Sequence, residues 1–290
     1  MAEGGENRPQ AGMPSARQAG LDGYDSREPA PLARTDAVSD RHAARWCLVP
    51  RPLPKARLRL ICLPHAGAGA STYFGWGALL QPAGIEVRSV QYPGRENRLS
   101  EACLTDAETM TRAIADAWPE LAGGGPCAIF GHSMGALLGF ELALELARRG
   151  STHQPVRLFV SGHNAPSVLS PLPTLHLLPD CEFLPAVSRH YGDLPAELTM
   201  SSEMAALITP ILRADFQLVD RYRWRNGPQA SAAISVLGGL QDPWTTRAGL
   251  EQWSHHTRGP FSCRLLPGNH FFHQQNRATV ISVIESDLVA

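Results

Sequence analysis

A serine between a short apolar run and a long helix-forming run is the feature that most restricts the fold of this 290-residue chain. Residues 126–130 (PCAIF) suit a buried strand, and residues 136–149 are mostly strong helix formers that stop at Gly150. Between them, residues 131–135 (GHSMG) match the pattern G-x-S-x-G. Glycines at both ends of this turn permit strained backbone angles and close packing of the strand on the helix. This context favours a nucleophilic Ser133 over a serine that only caps a helix.

Similar short apolar runs recur from about Arg45 onward and alternate with helical stretches. A capping box between Thr105 and Glu108 predicts a helix that extends toward Leu121. Short continuous strands that alternate with helices predict an α/β fold, whose mostly parallel central sheet is flanked by helices on both faces. We expect its strands at residues 58–63, 85–90, 126–130, 156–160, 233–237 and 261–266.

Two segments depart from this alternation. Residues 1–44 are rich in Gly, Pro, Ala, Arg and acidic residues and show no apolar period, so we predict a disordered N-terminal extension. The folded domain is then expected over residues 45–290. Within it, residues 167–226 contain helical apolar patterns but no convincing strand, and Pro210 is placed to kink or restart a helix. We expect this insertion to form a helical lid over one edge of the sheet.

Composition excludes several functional classes. A formal net charge of −1, without a Lys/Arg-rich run, gives no indication of nucleic-acid binding. The polar N-terminus lacks the apolar core of a secretory signal, and no apolar stretch is long enough for a membrane span. Six scattered cysteines form no CxxC pair, which favours reduced, buried thiols over a zinc site or disulfides. We therefore expect a cytoplasmic, monomeric protein without a metal or other cofactor.

A serine hydroxyl needs a base that takes its proton and an acid that orients the base. His270 follows the last predicted strand and should lie at the carboxyl end of the sheet, where ligands bind in such folds. His273 is the nearest alternative, whereas His255 and His256 precede that strand and lie at its other end. We interpret these other histidines as solvated or structural.

The acid should follow a strand at the same edge. Asp242 comes after the strand at residues 233–237, with Pro243 fixing the turn. Some relatives of this fold carry the acid one strand earlier, but here that turn (residues 161–166, SGHNAP) offers no carboxylate. Asp242 is therefore the predicted acid.

The tetrahedral intermediate of acyl transfer needs two backbone N–H donors for its oxyanion. Met134, the residue after Ser133, should supply one of them. Ala66 should supply the other, because the small residues of the loop at 64–70 (PHAGAGA) let backbone approach a ligand. A glycine-rich loop can also bind phosphate, but this one lacks both G-x-G-x-x-G and the Walker lysine. We expect His65 to brace the loop.

Seven motifs follow one another from about Trp46 to the end of the chain: LICLPHAGAGAS, SVQYPGRENRLSE, GHSMG, SGHNAPS, PILRADFQLVDRY, GLQDP and GNHFF. In this order they resemble the type II thioesterases, the free-standing editing enzymes that accompany modular polyketide and nonribosomal peptide synthases. Two departures are visible: relatives usually have two arginines in place of His163 and Asn164, and a glycine in place of Asn269. Neither departure removes a catalytic group.

The resemblance implies an α/β-hydrolase fold with a helical lid and a triad of Ser133, Asp242 and His270. It implies oxyanion donors at Ala66 and Met134. The expected substrate is an acyl group on the phosphopantetheine arm of an acyl or peptidyl carrier protein, and the expected role is removal of aberrant or stalled units from a synthase. Alternatives are a medium-chain fatty acyl or chain-releasing thioesterase, a carboxylesterase, and a non-catalytic binding module.

Two further expectations concern the lid. Its apolar side chains should line an acyl channel: Phe183, Leu184, Met204, Leu207 and Phe216. Its arginines should either face solvent or contact an acidic carrier protein, since complementary charge aids encounter: Arg213, Arg221, Arg223 and Arg225.

Overall fold

A seven-stranded sheet forms the centre of the molecule, for which a computed structural model describes residues 45–168, 174–191 and 202–289. The strand order is β1-β3-β2-β4-β5-β6-β7, and all neighbours are parallel except β1 and β3. The strands are β1 (Cys47–Leu48), β2 (Leu58–Leu63), β3 (Ile85–Val90), β4 (Cys127–His132), β5 (Arg157–Ser161), β6 (Ala233–Gly239) and β7 (Phe261–Leu266).

Helices cover both faces of this sheet. In chain order they are α1 (Trp76–Leu80), α2 (Ala107–Asp116), α3 (Trp118–Ala122), α4 (Met134–Arg148), α5 (Asp180–Tyr191), α6 (Ser202–Arg221), α7 (Arg247–Glu251), α8 (Phe272–Gln275) and α9 (Arg277–Val289). Short 3-10 turns lie at Ala70–Tyr73, Gln81–Ala83, Glu96–Arg98, Leu175–Leu177 and Gln252–His256.

Successive side chains of a strand point to opposite faces, so each strand contributes to two cores. Ile129 of β4 packs in the core under α2, α3 and α4, whereas its neighbour Phe130 packs in the core under α1 and α9. All six residues of β4 are buried, as expected for the central strand of a parallel sheet. In sheets of this kind, ligands bind at the edge that is formed by the carboxyl ends of the strands.

The mostly parallel α/β sheet confirms the predicted fold class, although several boundaries differ. Strand β1 was not expected, because its two residues form strand only by pairing with β3. The first long helix begins at Ala107, and its N-cap is Asp106, whose carboxylate accepts the N–H of Thr109, and not the predicted Thr105. It ends at Asp116, before a second helix that has Pro119 in its first turn.

Two long helices, α5 and α6, lie between β5 and β6, and we refer to them together as the cap. Pro210 is inside α6 and does not end it. The cap has its own apolar core, in which Phe183 of α5 meets Phe216 of α6 edge to face. The predicted N-terminal extension at residues 1–44 lies outside the described residues. Among the helices that are described, none combines the length and the apolar character needed to cross a membrane.

Candidate active site

Ser133 occupies a sharp turn between β4 and α4. Its backbone has φ 52° and ψ −117°, a strained conformation for a residue with a side chain. The turn is close-packed, since a Cβ on Gly131 would lie 2.1 Å from the carbonyl oxygen of Gly135. A Cβ on Gly135 would lie equally close to the carbonyl oxygen of Leu63. The two glycines are therefore required by contact with backbone that cannot move aside. Ser133 itself is half-buried at the carboxyl edge of the sheet.

The loops after β6 and β7 bring Asp242 and His270 together. Nδ1 of His270 lies 2.9 Å from Oδ2 of Asp242, and both side chains are buried. The N–H of Trp244 and the hydroxyl of Thr245 also donate to the Asp242 carboxylate, at 3.0 and 2.9 Å. Burial by itself would raise the pKa of Asp242, but His270 and these two donors outweigh it and hold the pKa below its usual value. The carboxylate can thus fix the imidazole in the tautomer that carries its proton on Nδ1.

A tight turn after β2 lies beside Ser133. The N–H of Ala68 donates to the carbonyl of His65 at 3.1 Å, and Gly67 has a φ of 79°, which glycine tolerates without strain. Gly67 donates its own N–H to a side chain, whereas the N–H of Ala66 finds no acceptor within the described ranges. Met134 is the first residue of α4, so the helix offers its N–H no partner. Ala66 and Met134 line one cavity together with Ser133.

Two cavities meet at Ser133 and His270. The first, of about 370 Å³, extends over the β2 side of β4 and is lined by Ala66, Gly67 and side chains of both cap helices. We call it the cap cavity. The second, of about 300 Å³, extends over the β5 and β6 side, between the loops at residues 162–168 and 244–245 and the end of α6. We call it the loop cavity.

The apolar lining of the cap cavity differs from the expected channel. Phe216 lines it as predicted, but Phe183 is fully buried in the core of the cap. Met204 and Leu207 are 40% and 45% exposed on the outer side of α6. The observed cap side chains at the cavity are instead Val187, Tyr191, Ile208, Leu212, Phe216 and Val219. The cap helices thus have apolar faces as predicted, but the choice of cavity-lining side chains was wrong at Phe183, Met204 and Leu207.

The four arginines of the predicted docking surface separate into different environments. Arg213 is engaged within the cap, where it donates to the carbonyls of His176 and Leu178 and pairs with Asp180. Arg223 is exposed at the mouth of the loop cavity, and within the described residues it has no carboxylate partner. Its Nη1 donates to the carbonyls of Asp220 and Tyr222.

Asn164, one of the two residues of the first expected departure, has a structural function in this chain. The Asn164 side chain donates to the carbonyl of Trp244 at 3.0 Å and accepts the N–H of Thr246 at 3.2 Å. It thereby ties the loop after β5 to the loop that contains Asp242. The second departure, Asn269, accepts the N–H of Phe271 and so fixes the backbone next to His270.

A cluster of imidazoles supports His270, with His132 and His273 buried and His65 half-buried, and no motif of the sequence predicts that these rings meet. His132 stacks on His273 with ring centroids 3.8 Å apart, and its ring lies 5.0 Å from that of His270. His65 meets His132 and His273 edge to face. Nδ1 of His132 contacts the hydroxyl of Ser161 at 2.9 Å. The loop that carries His270 packs against these rings.

Burial makes these supporting imidazoles weak bases. It lowers the pKa of His65 to about 3, with a further contribution from nearby His270. Burial likewise holds the pKa of His132 and that of His273 well below the usual value. The three rings are therefore neutral at physiological pH, and they bring no fixed positive charge next to His270.

A parallel sheet with a strained serine between strand and helix, and a His–Asp pair on the last two strand ends, defines the α/β-hydrolase fold. A model of the thioesterase domain family matches residues 58–288. The gramicidin S biosynthesis protein GrsT of Aneurinibacillus migulanus is 38% identical over 237 residues, which are 82% of this chain and 91% of that protein.

Two further relatives are also thioesterases. Thioesterase PikA5 of Streptomyces venezuelae is 36% identical over 242 residues, covering 82% of this chain and 83% of that protein. The solved structure of the type II thioesterase BorB from the borrelidin biosynthetic cluster has a TM-score of 0.75 at 35% identity. That match covers 83% of this chain and 96% of the other. The chain belongs to the thioesterase domain family and is a thioester hydrolase.

The buried imidazoles predict a specific pH dependence of stability. In the unfolded chain a histidine takes up a proton below about pH 6.5, whereas folded His273 stays neutral to a much lower pH. The unfolded state then binds more protons, so each such histidine costs about 1.4 kcal/mol of stability per pH unit as the pH falls below 6.5. We expect His273→Leu to reduce this slope by about that amount between pH 6 and 4.5, measured by urea unfolding.

His255→Gln, which removes an exposed imidazole, is the matched control. An unchanged slope in His273→Leu would show that His273 is protonated in the folded protein at these pH values.

Proposed function

We propose that this protein is a type II editing thioesterase of the cytoplasm, which hydrolyses acyl groups from the phosphopantetheine arm of acyl or peptidyl carrier proteins. It would restore polyketide or nonribosomal peptide synthase modules that are blocked by aberrant or stalled units. The observation that carries the proposal is the His270–Asp242 pair at 2.9 Å, next to two cavities that both contain Ser133. The relatives named above support the biosynthetic setting.

Ser133 is the nucleophile in this proposal. Nε2 of His270 takes the proton of the Ser133 hydroxyl as Oγ attacks the thioester carbonyl, and Asp242 stabilises the imidazolium that forms. The negative charge develops on the former carbonyl oxygen, which accepts hydrogen bonds from the N–H groups of Ala66 and Met134. The carbon–sulfur bond then breaks, the sulfur leaves with the proton from His270, and the acyl group stays on Ser133.

A water molecule completes the reaction by hydrolysing the acyl-serine ester. His270 takes a proton from a water molecule, whose oxygen attacks the acyl-serine ester, and the same two amides stabilise the second oxyanion. Collapse returns the proton to Ser133 and releases the free acid. Each step uses side chains and amides of the chain itself.

The acyl group fits the cap cavity. Ile208, Leu212 and Phe216 give this cavity an apolar wall, and the proposed oxyanion donors Ala66 and Met134 line the same cavity. Burial of alkyl groups against such a wall is favourable by about 0.8 kcal/mol per methylene. A volume of about 370 Å³ suits short and medium acyl groups better than a long chain.

The pantetheine arm fits the loop cavity. Thr174 contributes a hydroxyl to this cavity, and the Asn164 and Thr245 side-chain oxygens, although each already makes a hydrogen bond within the protein, can each accept a further one from an amide of the arm. Arg223 lies at the outer end, where a phosphodiester would enter, and guanidinium is well suited to phosphate. The acyl group and the pantetheine arm thus occupy different cavities, and the carbon–sulfur bond that breaks lies where the two cavities meet.

Activity assays with loaded carrier proteins test the proposed function. We expect hydrolysis of short acyl groups such as acetyl and propionyl from carrier proteins. Ser133→Ala, His270→Ala and Asp242→Asn should each lower kcat by about 10⁴-fold, while the variants keep a cooperative unfolding transition. Activity confined to long acyl chains would contradict the editing role. Hydrolysis of simple oxygen esters with no activity on carrier proteins would contradict the carrier as substrate.

A second assay tests the placement of the arm. Arg223→Ala should raise KM for acyl-carrier protein about tenfold, because it removes a charged hydrogen-bond donor to phosphate. It should leave the hydrolysis of acyl-N-acetylcysteamine, which lacks the phosphate, unchanged. Arg225→Ala is the matched control, since Arg225 is exposed on the same segment but does not line the loop cavity. An equal loss on both substrates would rule out a phosphate contact at Arg223.

A further inference from the structure

Asp215, on cap helix α6, is fully buried and makes three hydrogen bonds away from the cap. Its Oδ2 accepts from Nη1 of Arg95 at 2.6 Å, and its Oδ1 accepts from Nη2 of Arg95 at 2.8 Å. Oδ2 also accepts the backbone N–H of Gly67 at 2.7 Å. Gly67 directly follows Ala66 in the turn after β2. A side chain of the cap is therefore bonded to the turn that contributes one wall of the active site.

Arg95 reaches the same turn from another part of the chain. It follows β3, is 2% exposed, and its Nη1 lies 3.3 Å from the carbonyl oxygen of Ala68. The carbonyl of Arg95 accepts from the side chain of Gln91, whose Oε1 accepts the N–H of Ala70. The turn is thus held at Gly67, Ala68 and Ala70 by one connected set of polar groups.

Packing adds to this contact. Leu212 lies one helical turn before Asp215, so the two side chains share a face of α6. A Cβ on Gly67 would lie 2.5 Å from Cδ2 of Leu212, so the leucine side chain packs directly against the glycine of the turn. Gly67 is consequently fixed by a hydrogen bond on its N–H and by a methyl group against its α-carbon.

A buried ion pair is a poor way to gain stability, because desolvation of both charges offsets most of their attraction. Its main contribution is to orientation, because the two parallel hydrogen bonds of a bidentate guanidinium–carboxylate pair fix both partners relative to each other. Burial by itself would lower the pKa of Arg95, but Asp215 outweighs it, so the guanidinium keeps its charge. The Asp215 carboxylate, oriented by this bidentate pair, accepts the Gly67 N–H on the same Oδ2 that accepts from Arg95.

We propose that Asp215, oriented by Arg95, is a positioning residue of the oxyanion hole, and that the cap helix is thereby a structural part of that hole. Fixing the Gly67 N–H fixes the peptide plane next to Ala66, and so directs the Ala66 N–H toward the developing oxyanion. This inference rests on the proposed role of Ala66. It predicts an effect on the transition state, and hence on kcat, with little effect on the binding of substrate.

Two double variants isolate the hydrogen bond to Gly67. Both Arg95→Met/Asp215→Asn and Arg95→Met/Asp215→Leu remove the two charges together, so neither leaves a buried charge without its partner. The asparagine oxygen still accepts the Gly67 N–H, whereas the leucine of similar size does not. Glu101→Gln is the control for breaking an ion pair nearby, because Glu101 pairs with Arg98 and does not contact the turn.

Hydrolysis of acyl-N-acetylcysteamine, unfolding temperature and affinity for a trifluoromethyl ketone that forms an adduct with Ser133 are measured for all variants. We expect kcat of the leucine variant to be about tenfold or more below that of the asparagine variant, with KM nearly equal. The affinity for the trifluoromethyl ketone should fall by a similar factor. Glu101→Gln should retain wild-type kcat.

Equal kcat and equal ketone affinity in the two double variants would overturn the inference, and so would a loss confined to KM. If the leucine variant does not fold, Arg95→Met/Asp215→Ala makes the same comparison with a smaller side chain. Failure of the proposed function would give a different result: the Ser133→Ala variant would still hydrolyse the thioester.

Discussion

The contact between the start of α4 and the end of β2, at Gly135, is the constraint on which the site depends. The carbonyl oxygen of Leu63 would lie 2.1 Å from a Cβ at this position, so only glycine lets the helix approach the strand so closely. The approach forces the strained turn at Ser133 and brings the first N–H of α4 beside the turn that follows β2. The proposed nucleophile and both proposed oxyanion donors are consequently placed by one packing contact between backbones.

Around this contact, each remaining part of the site comes from a different strand end. Asp242 follows β6 and His270 follows β7, and Asn164 ties the loop after β5 to the loop that contains Asp242. Neutral imidazoles support His270 from below, while the cap closes the opposite side and bonds to the turn through Asp215. The cap therefore has two functions in this structure: it forms the apolar wall of one cavity and it restrains the backbone next to Ala66.

The sequence predicted the parts that depend on local structure. Six strands were expected close to where they lie, because short apolar runs between turn residues mark buried parallel strands. Ser133, Asp242 and His270 could be chosen because each directly follows a strand, and the carboxyl ends of parallel strands share one edge. The missing carboxylate at Asn164 was sufficient to select Asp242 as the candidate acid.

Contacts between distant parts of the chain were not predictable in this way. Arg95 and Asp215 are 120 residues apart, and nothing in either segment indicates the other. The stack of His132 on His273 was missed for the same reason: His273 was interpreted as a solvated or structural histidine, without a partner for its ring. Phe183 and Met204 were wrongly predicted to line the acyl cavity. The helical period shows that a helix has an apolar face, but not which neighbour covers each side chain.

The most direct test of the central claim is rapid-quench mass spectrometry of the intact protein after it is mixed with acetyl-carrier protein. An acyl group on Ser133 should appear before steady state, with release of about one equivalent of free carrier thiol per enzyme. Steady hydrolysis with no acyl group on the protein at any time, and with full activity in Ser133→Ala, would contradict it.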